Sequence, residues 1–268
     1  MQKQQVPALM VAIFATLGAA AGYGLGGDGD FYEQLAKPVA WAVLAAVFAG
    51  AFVLTRIISA AGKRKGPPAD TAAPAITPRF IVINAAFGFI FMGGLAVVLA
   101  RAFDLGLLPM IRPHALDILT GTVAALPLCG LLYLVVNARN GALSRFRQKQ
   151  VDLFTDRNMD LGPAAILFIS LGAGITEELL FRGVLLTDFT ERFGLPIALA
   201  ASSLLFGLAH AANLGYFLYT AVMGIYLAAL FLWTDNLLTP MVTHAVYDVY
   251  ALAVTARLVR SNKATRAA

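Results

Sequence analysis

Residues 163–186 read PAAILFISLGAGITEELLFRGVLL. A run this long and apolar meets the roughly 20 residues that an α-helix needs to cross the hydrocarbon core of a bilayer. Yet it carries Glu177, Glu178 and Arg182 within a few positions of one another. An ionisable side chain in lipid costs roughly 2.5–3.5 kcal/mol on insertion scales, so it persists where it has partners and a function. The stretch therefore predicts a spanning helix equipped for chemistry.

The rest of the chain extends the pattern. Of its 268 residues, 59% are hydrophobic and only 13% charged, and mean hydropathy is +0.76, which places it among polytopic membrane proteins. Lipid offers backbone groups no hydrogen bonds, so spanning segments are helices or closed barrels, and long unbroken apolar runs select helices. An all-α transmembrane bundle of about eight spans follows, at 6–27, 38–55, 80–100, 118–137, 163–186, 195–212, 214–233 and 237–256. The first four contain no charged residue, whereas Glu177, Glu178, Arg182, His210, His244 and Asp248 all fall in the last four. This contrast divides the chain into a membrane scaffold with a basic cytoplasmic loop (1–160), a chemically equipped core (161–258) and a basic cytoplasmic tail (259–268).

Several features point to packing rather than chemistry. Gly18, Gly22 and Gly26 form a small-xxx-small repeat that lets a neighbouring helix approach closely. Gly24 has neither a preceding strand nor a following phosphate-binding lysine, so no nucleotide loop is expected. The first apolar run is longer than the core of a secretory signal and reads as a retained helix. Cys129 sits in an apolar segment as a packing residue. His114 reads as a surface residue, and Trp41, Trp233 and Tyr216, near span ends, as interfacial anchors.

Orientation follows from lysine and arginine, which favour cytoplasmic loops. One alternate set of loops holds Lys3, then Arg56, Lys63, Arg64, Lys65 and Arg79, then Arg139, Arg145, Arg147, Lys149 and Arg157, and finally Arg257, Arg260, Lys263 and Arg266. The other set holds only Lys37, Arg101, Arg112 and Arg192. Both termini are expected in the cytoplasm, with the chain in the cell inner membrane. The net charge of +5 is thus mostly topological. Arg145 and Lys149 suit anionic lipid headgroups, and a nucleic-acid partner is unnecessary. The stretch 66–78, rich in Pro, Ala and Thr, reads as a flexible loop.

Spacing assigns roles among the buried ionisable groups. Glu178 and Arg182 are four apart, so they share a helix face and can form an ion pair that lowers the cost of burying either one. Glu177, turned by about 100° on the helix, cannot make the same contact equally well and is left for chemistry. His210 closes the motif FGLAH (206–210), and Phe206, one turn earlier, is placed to pack on its ring. His244 opens HAVYD (244–248), and Asp248, four residues on, can hold the imidazole in one tautomer and favour its charged form.

In this order inside apolar helices, EELLFR (177–182), FGLAH and HAVYD resemble the CPBP family of intramembrane proteases. That family includes the type II CAAX prenyl endopeptidases and bacterial relatives linked to peptide processing or bacteriocin self-immunity. The resemblance covers about 161–256. It implies an endopeptidase in which Glu177 and His210 activate water while His244 and Asp248 line the oxyanion site, with Glu178, Arg182 and Phe206 in support. A carboxylate drawn out of water is a better base, and it can return its proton to the leaving amine. Better-known members have Asn at the position of Asp248. An ionised carboxylate cannot donate to an oxyanion, so Asp248 is either protonated in its apolar surroundings or acts indirectly by keeping His244 cationic, and the indirect role is the one expected. The implied substrate is a membrane-associated peptide or protein, prenylated or not, met at the lipid bilayer. Oligomeric state is not legible.

Two rival readings use the same residues. Glu177, His210 and His244 offer three ligands for zinc with an open position; there is no HExxH helix, and the acid and imidazoles suffice without metal, so no cofactor is expected. A non-catalytic scaffold or a small proton-coupled transporter would also retain buried acids and histidines, although the two halves of the chain show no internal repetition. One geometric difficulty accompanies the protease reading. Glu177 lies well along its span, while His210 nears the end of its own. Straight helices over these bounds would hold the two apart, and convergence is expected either from a tilted or broken fifth helix, with Gly172 and Gly174 as flexible points, or from span boundaries shifted by several residues.

Overall fold

The computed structural model describes residues 77–156 and 160–267. The spans expected at 6–27 and 38–55, the Gly18/Gly22/Gly26 repeat and Trp41 lie outside the described residues. Within them the chain is helical, with no strand.

Helix α1 (Pro78–Ala102) starts where Thr77 Oγ1 accepts the Phe80 amide and Pro78 supplies a preset φ at the first turn. A short 3₁₀ turn (Leu108–Met110) leads to α2 (Ala115–Asn137). Helix α3 (Gly141–Asp156) lies where sequence reading places only a basic loop. Helix α4 (Pro163–Glu178) passes without a break into a π-helical segment (Leu179–Leu186) and then α5 (Thr187–Phe193). Gly194, at φ 78°, reverses the chain into α6 (Leu195–Ala209). Helices α7 (Leu214–Thr234), capped by Asn213, and α8 (Leu238–Ala267) complete the bundle. The basic stretch after 258 continues α8.

Four of these runs are long and apolar enough to cross a membrane: Pro78–Ala102, Ala115–Asn137, Pro163–Phe193 and Leu214–Thr234. Helix α6 is apolar but short, and the apolar half of α8 is interrupted by His244 and Asp248. The expected count of about eight spans is therefore not reached among the described residues.

The fifth expected span is longer and the sixth shorter than sequence reading draws them. Helices α4 to α5 form one run of 31 residues, whereas α6 has 15. Returning from Gly194, α6 climbs back only about halfway, which is the level of Glu177. The depth mismatch is thereby removed without a break at Gly172 or Gly174. Both lie in regular α-helix, where their missing side chains permit close packing. A Cβ on Gly172 would collide with the Phe89 ring, and one on Gly174 would stand 2.8 Å from the Met241 carbonyl oxygen.

The core gathers around the π-helical segment, whose residues from Leu180 to Leu186 are all buried. Leu95, Leu99 and Phe103 of α1, Phe206 of α6 and Phe231 of α7 close on it. Across the bundle, Gly121 of α2 lets Thr243 of α8 donate to its carbonyl at 2.9 Å. The turn before α8 is tied down by Asn236, whose carboxamide accepts from the Arg112 amide at 3.0 Å and donates to the Arg112 carbonyl at 2.7 Å. Phe80, Phe87, Ile90 and Leu126 remain exposed on the outside, as side chains facing lipid would be.

Candidate active site

Glu177 and Glu178 stand at the junction of α4 and the π-helical segment, a type of helical irregularity often found at functional sites. Being neighbours, they point in different directions, and each meets a histidine from another helix. Glu178 is fully buried. Its Oε1 accepts from Arg182 Nη1 at 2.7 Å and from His244 Nδ1 at 2.8 Å. Arg182, also buried, donates through Nη2 to the Gly224 carbonyl at 2.9 Å and lies 4.6 Å from the centroid of the Phe206 ring. Breaking a buried pair of this kind by removing one partner costs about 3–5 kcal/mol, because the other charge is left uncompensated.

Glu177 is built differently. Its Oε2 lies 3.5 Å from His210 Nε2 and makes no hydrogen bond within the protein. His210 caps the C-terminus of α6, and its Nδ1 sits 2.9 Å from the Phe206 carbonyl. A carbonyl only accepts, so Nδ1 carries the proton and Nε2 faces Glu177. Gly207 positions this helix end. A Cβ there would stand 2.9 Å from both the Phe217 carbonyl oxygen and Ala221 Cβ, so α6 and α7 meet in direct backbone contact. Phe206 lies between the two histidines, its ring centroid 4.7 Å from that of His210 and 5.8 Å from that of His244.

Asp248 approaches His244 from the other side, Oδ2 to Nε2, at 3.6 Å, too long for a direct hydrogen bond. Glu177, Phe206, His210, His244 and Asp248 all line one cavity of about 320 Å³. The structure thus brings together the acid, both imidazoles and the second carboxylate, while Glu178 and Arg182 stay behind them in the core. Among the described residues, no three His, Cys, Asp or Glu side chains are arranged to hold a metal ion, so the zinc set Glu177, His210 and His244 does not converge on one point.

Sequence reasoning misses three parts of the site. It pairs His244 with Asp248, but the closer partner is Glu178, 66 positions away in the chain. It assigns Tyr216 to the membrane interface, whereas Tyr216 lines the cavity and stacks on Tyr219 with ring planes 16° apart. It reads 139–157 as a loop, yet Phe146, Arg147, Gln150, Val151 and Phe154 of α3 form one wall. A signal for α3 is present: Phe146, Gln150 and Phe154 recur at four-residue spacing among charged neighbours. The wall has an unusual member. Gln150 is 8% exposed, and neither end of its carboxamide has a hydrogen-bond partner. A buried polar group left so costs about 1–3 kcal/mol.

Comparison with known proteins fits this arrangement. Residues 160–250 match the family model of type II CAAX prenyl endopeptidase Rce1-like proteins. The resemblance read from the three motifs therefore holds over this segment, which contains Glu177, Glu178, Arg182, His210, His244 and Asp248. The uncharacterized protein YpbD of Bacillus subtilis (strain 168) is 33% identical over 102 residues, covering 37% of this chain. The chain spans about half the length of that curated relative, 50% of it. No solved structure matches. The match does not favour the transporter or scaffold reading.

Proposed function

We propose that this chain is an integral-membrane endopeptidase that hydrolyses a peptide bond of a membrane-associated peptide or protein. One observation carries the reading: Glu177 and His210 line the same cavity, with Oε2 and Nε2 3.5 Å apart and no protein donor bonded to Oε2. A water donating one hydrogen to each turns a lone pair toward a substrate carbonyl carbon. As hydroxide adds to that carbon, Glu177 takes the proton, and it hands the proton to the departing amine nitrogen when the C–N bond breaks. The developing oxyanion is received by His244. With Nδ1–H committed to Glu178, a proton on Nε2 makes the ring a cationic donor aimed into the cavity, and Asp248 balances that charge without touching the substrate. Glu178 and Arg182 position His244 from behind, and Phe206 holds the two rings apart.

Both termini in the cytoplasm of a cell inner membrane accord with the distribution of lysine and arginine. The division at residues 160 and 258 is retained as a proposal about chemistry rather than packing, since α3 of the scaffold also lines the cavity.

The test uses the purified full-length protein on a quenched fluorescent peptide library, with Glu177→Ala as control. Cleavage that disappears in the variant supports the assignment. Cleavage that persists unchanged rejects Glu177 as the base.

A further inference from the structure

Gln150 sits at the middle of the α3 wall, with Phe146 one turn before it and Phe154 one turn after. Its neighbours on the outer face, Arg145, Gln148 and Lys149, are exposed, so the helix had polar positions available on its other side. The residue nevertheless lines the cavity that contains Glu177 and His210, and it is more than nine-tenths buried, with its N–H₂ and its carbonyl oxygen both enclosed and unpaired. A buried carboxamide is retained against its cost when something supplies the missing partners. The same chain already displays what such a group does when it is satisfied. Asn236 accepts from the amide of Arg112 and donates to that residue's carbonyl, a two-point grip on one residue's backbone.

We infer that Gln150 is a substrate-binding clamp, whose enclosed carboxamide turns into the cavity and pairs with the N–H and C=O of one residue of a peptide lying extended there. An extended chain entering an apolar site arrives with its backbone groups unpaired, and it gains from such a grip. A helical segment has those groups bonded internally and gains nothing. The clamp therefore selects an unwound, locally apolar stretch, whose side chains meet Phe146, Phe154, Tyr216 and Tyr219. The inference deepens the protease reading by naming the conformation of the substrate, but binding and cleavage are separable in its test.

The test uses full-length protein carrying Glu177→Ala in lipid nanodiscs. The probe is a fluorescently labelled hexapeptide of alternating Leu and Ala, with each backbone amide N-methylated in turn. Anisotropy is read against empty nanodiscs. One methylated position is expected to weaken binding about tenfold. That penalty should fall below twofold after Gln150→Leu or Gln150→Met, while penalties at other positions stay the same. The thermal midpoint should rise in both variants, since an unpaired buried amide is removed; a purely structural glutamine would give a fall. Identical methylation penalties with and without Gln150, absence of saturable binding beyond empty nanodiscs, or a lowered midpoint in both variants would each overturn the clamp. Position-dependent binding in a protein whose parent form cleaves nothing would keep the clamp and remove the protease reading. Cleavage indifferent to Gln150 would do the reverse.

Discussion

The two adjacent glutamates of α4 each meet a histidine, and the two pairs are built to opposite designs. The Glu178–His244 pair is short, at 2.8 Å, with side chains 0% and 3% exposed and Arg182 closing the charge balance. The Glu177–His210 pair is 3.5 Å apart, with side chains 15% and 28% exposed, and it has no third group to satisfy it. Each glutamate leaves its Oε2 without a hydrogen-bond partner, so the difference lies in Oε1 of Glu178, which two cationic donors fix in place, whereas Glu177 has no such tie. A single helix thus presents, one residue apart, a carboxylate tied into the core and one facing the cavity pair, because a step of about 100° turns them toward different neighbours.

The contrast can be broken most heavily at the structural pair. Glu178→Ala leaves Arg182 buried without its counter-charge and should lower unfolding stability by about 3–5 kcal/mol, seen as a large drop in the thermal midpoint in detergent. His244→Ala removes the proposed oxyanion donor. It should reduce kcat by about 10² to 10³ in a peptide-cleavage assay while KM changes little, since the group acts on charge formed only in the transition state. Asp248→Ala should lower activity by about tenfold, or about 1.4 kcal/mol of barrier. Asp248→Asn, which can donate to the oxyanion directly, should preserve or raise it; equal and complete loss in both variants would contradict an indirect role. Chelation should leave the cleavage rate unchanged, because the three candidate zinc ligands do not form one donor group.

Much of this contrast is legible in the sequence. The four-residue spacing of Glu178 and Arg182 forecasts their ion pair, and the offset of Glu177 forecasts that it does not share it, because contacts within one helix follow from its period alone. Contacts between helices do not. Nothing in the spacing of HAVYD says that His244 reaches back to Glu178, so Asp248, the nearer residue in sequence, takes its place in a reading by spacing. Depth is misjudged for a related reason. An apolar run does not reveal where a helix ends inside protein, and Thr187–Phe193 continues the fifth helix with polar residues such as Asp188, which is buried and paired with Arg192 at 2.8 Å. Helix α3 escapes notice because its charges suggest a loop, although its aromatic residues carry a helical period. Gly172 and Gly174 stand out in the sequence as points of flexibility, but in the fold they bring helices together rather than bending one.

The central claim is that Glu177 does chemistry while Glu178 builds structure. The most direct measurement is a side-by-side comparison of Glu177→Gln and Glu178→Gln, reading both thermal midpoint and peptide cleavage for each purified variant. The expected result is a Glu177→Gln protein with a wild-type midpoint and no cleavage, beside a Glu178→Gln protein with a clearly lowered midpoint. A Glu177→Gln protein that cleaves at the wild-type rate, or one that unfolds as readily as Glu178→Gln, would contradict the account.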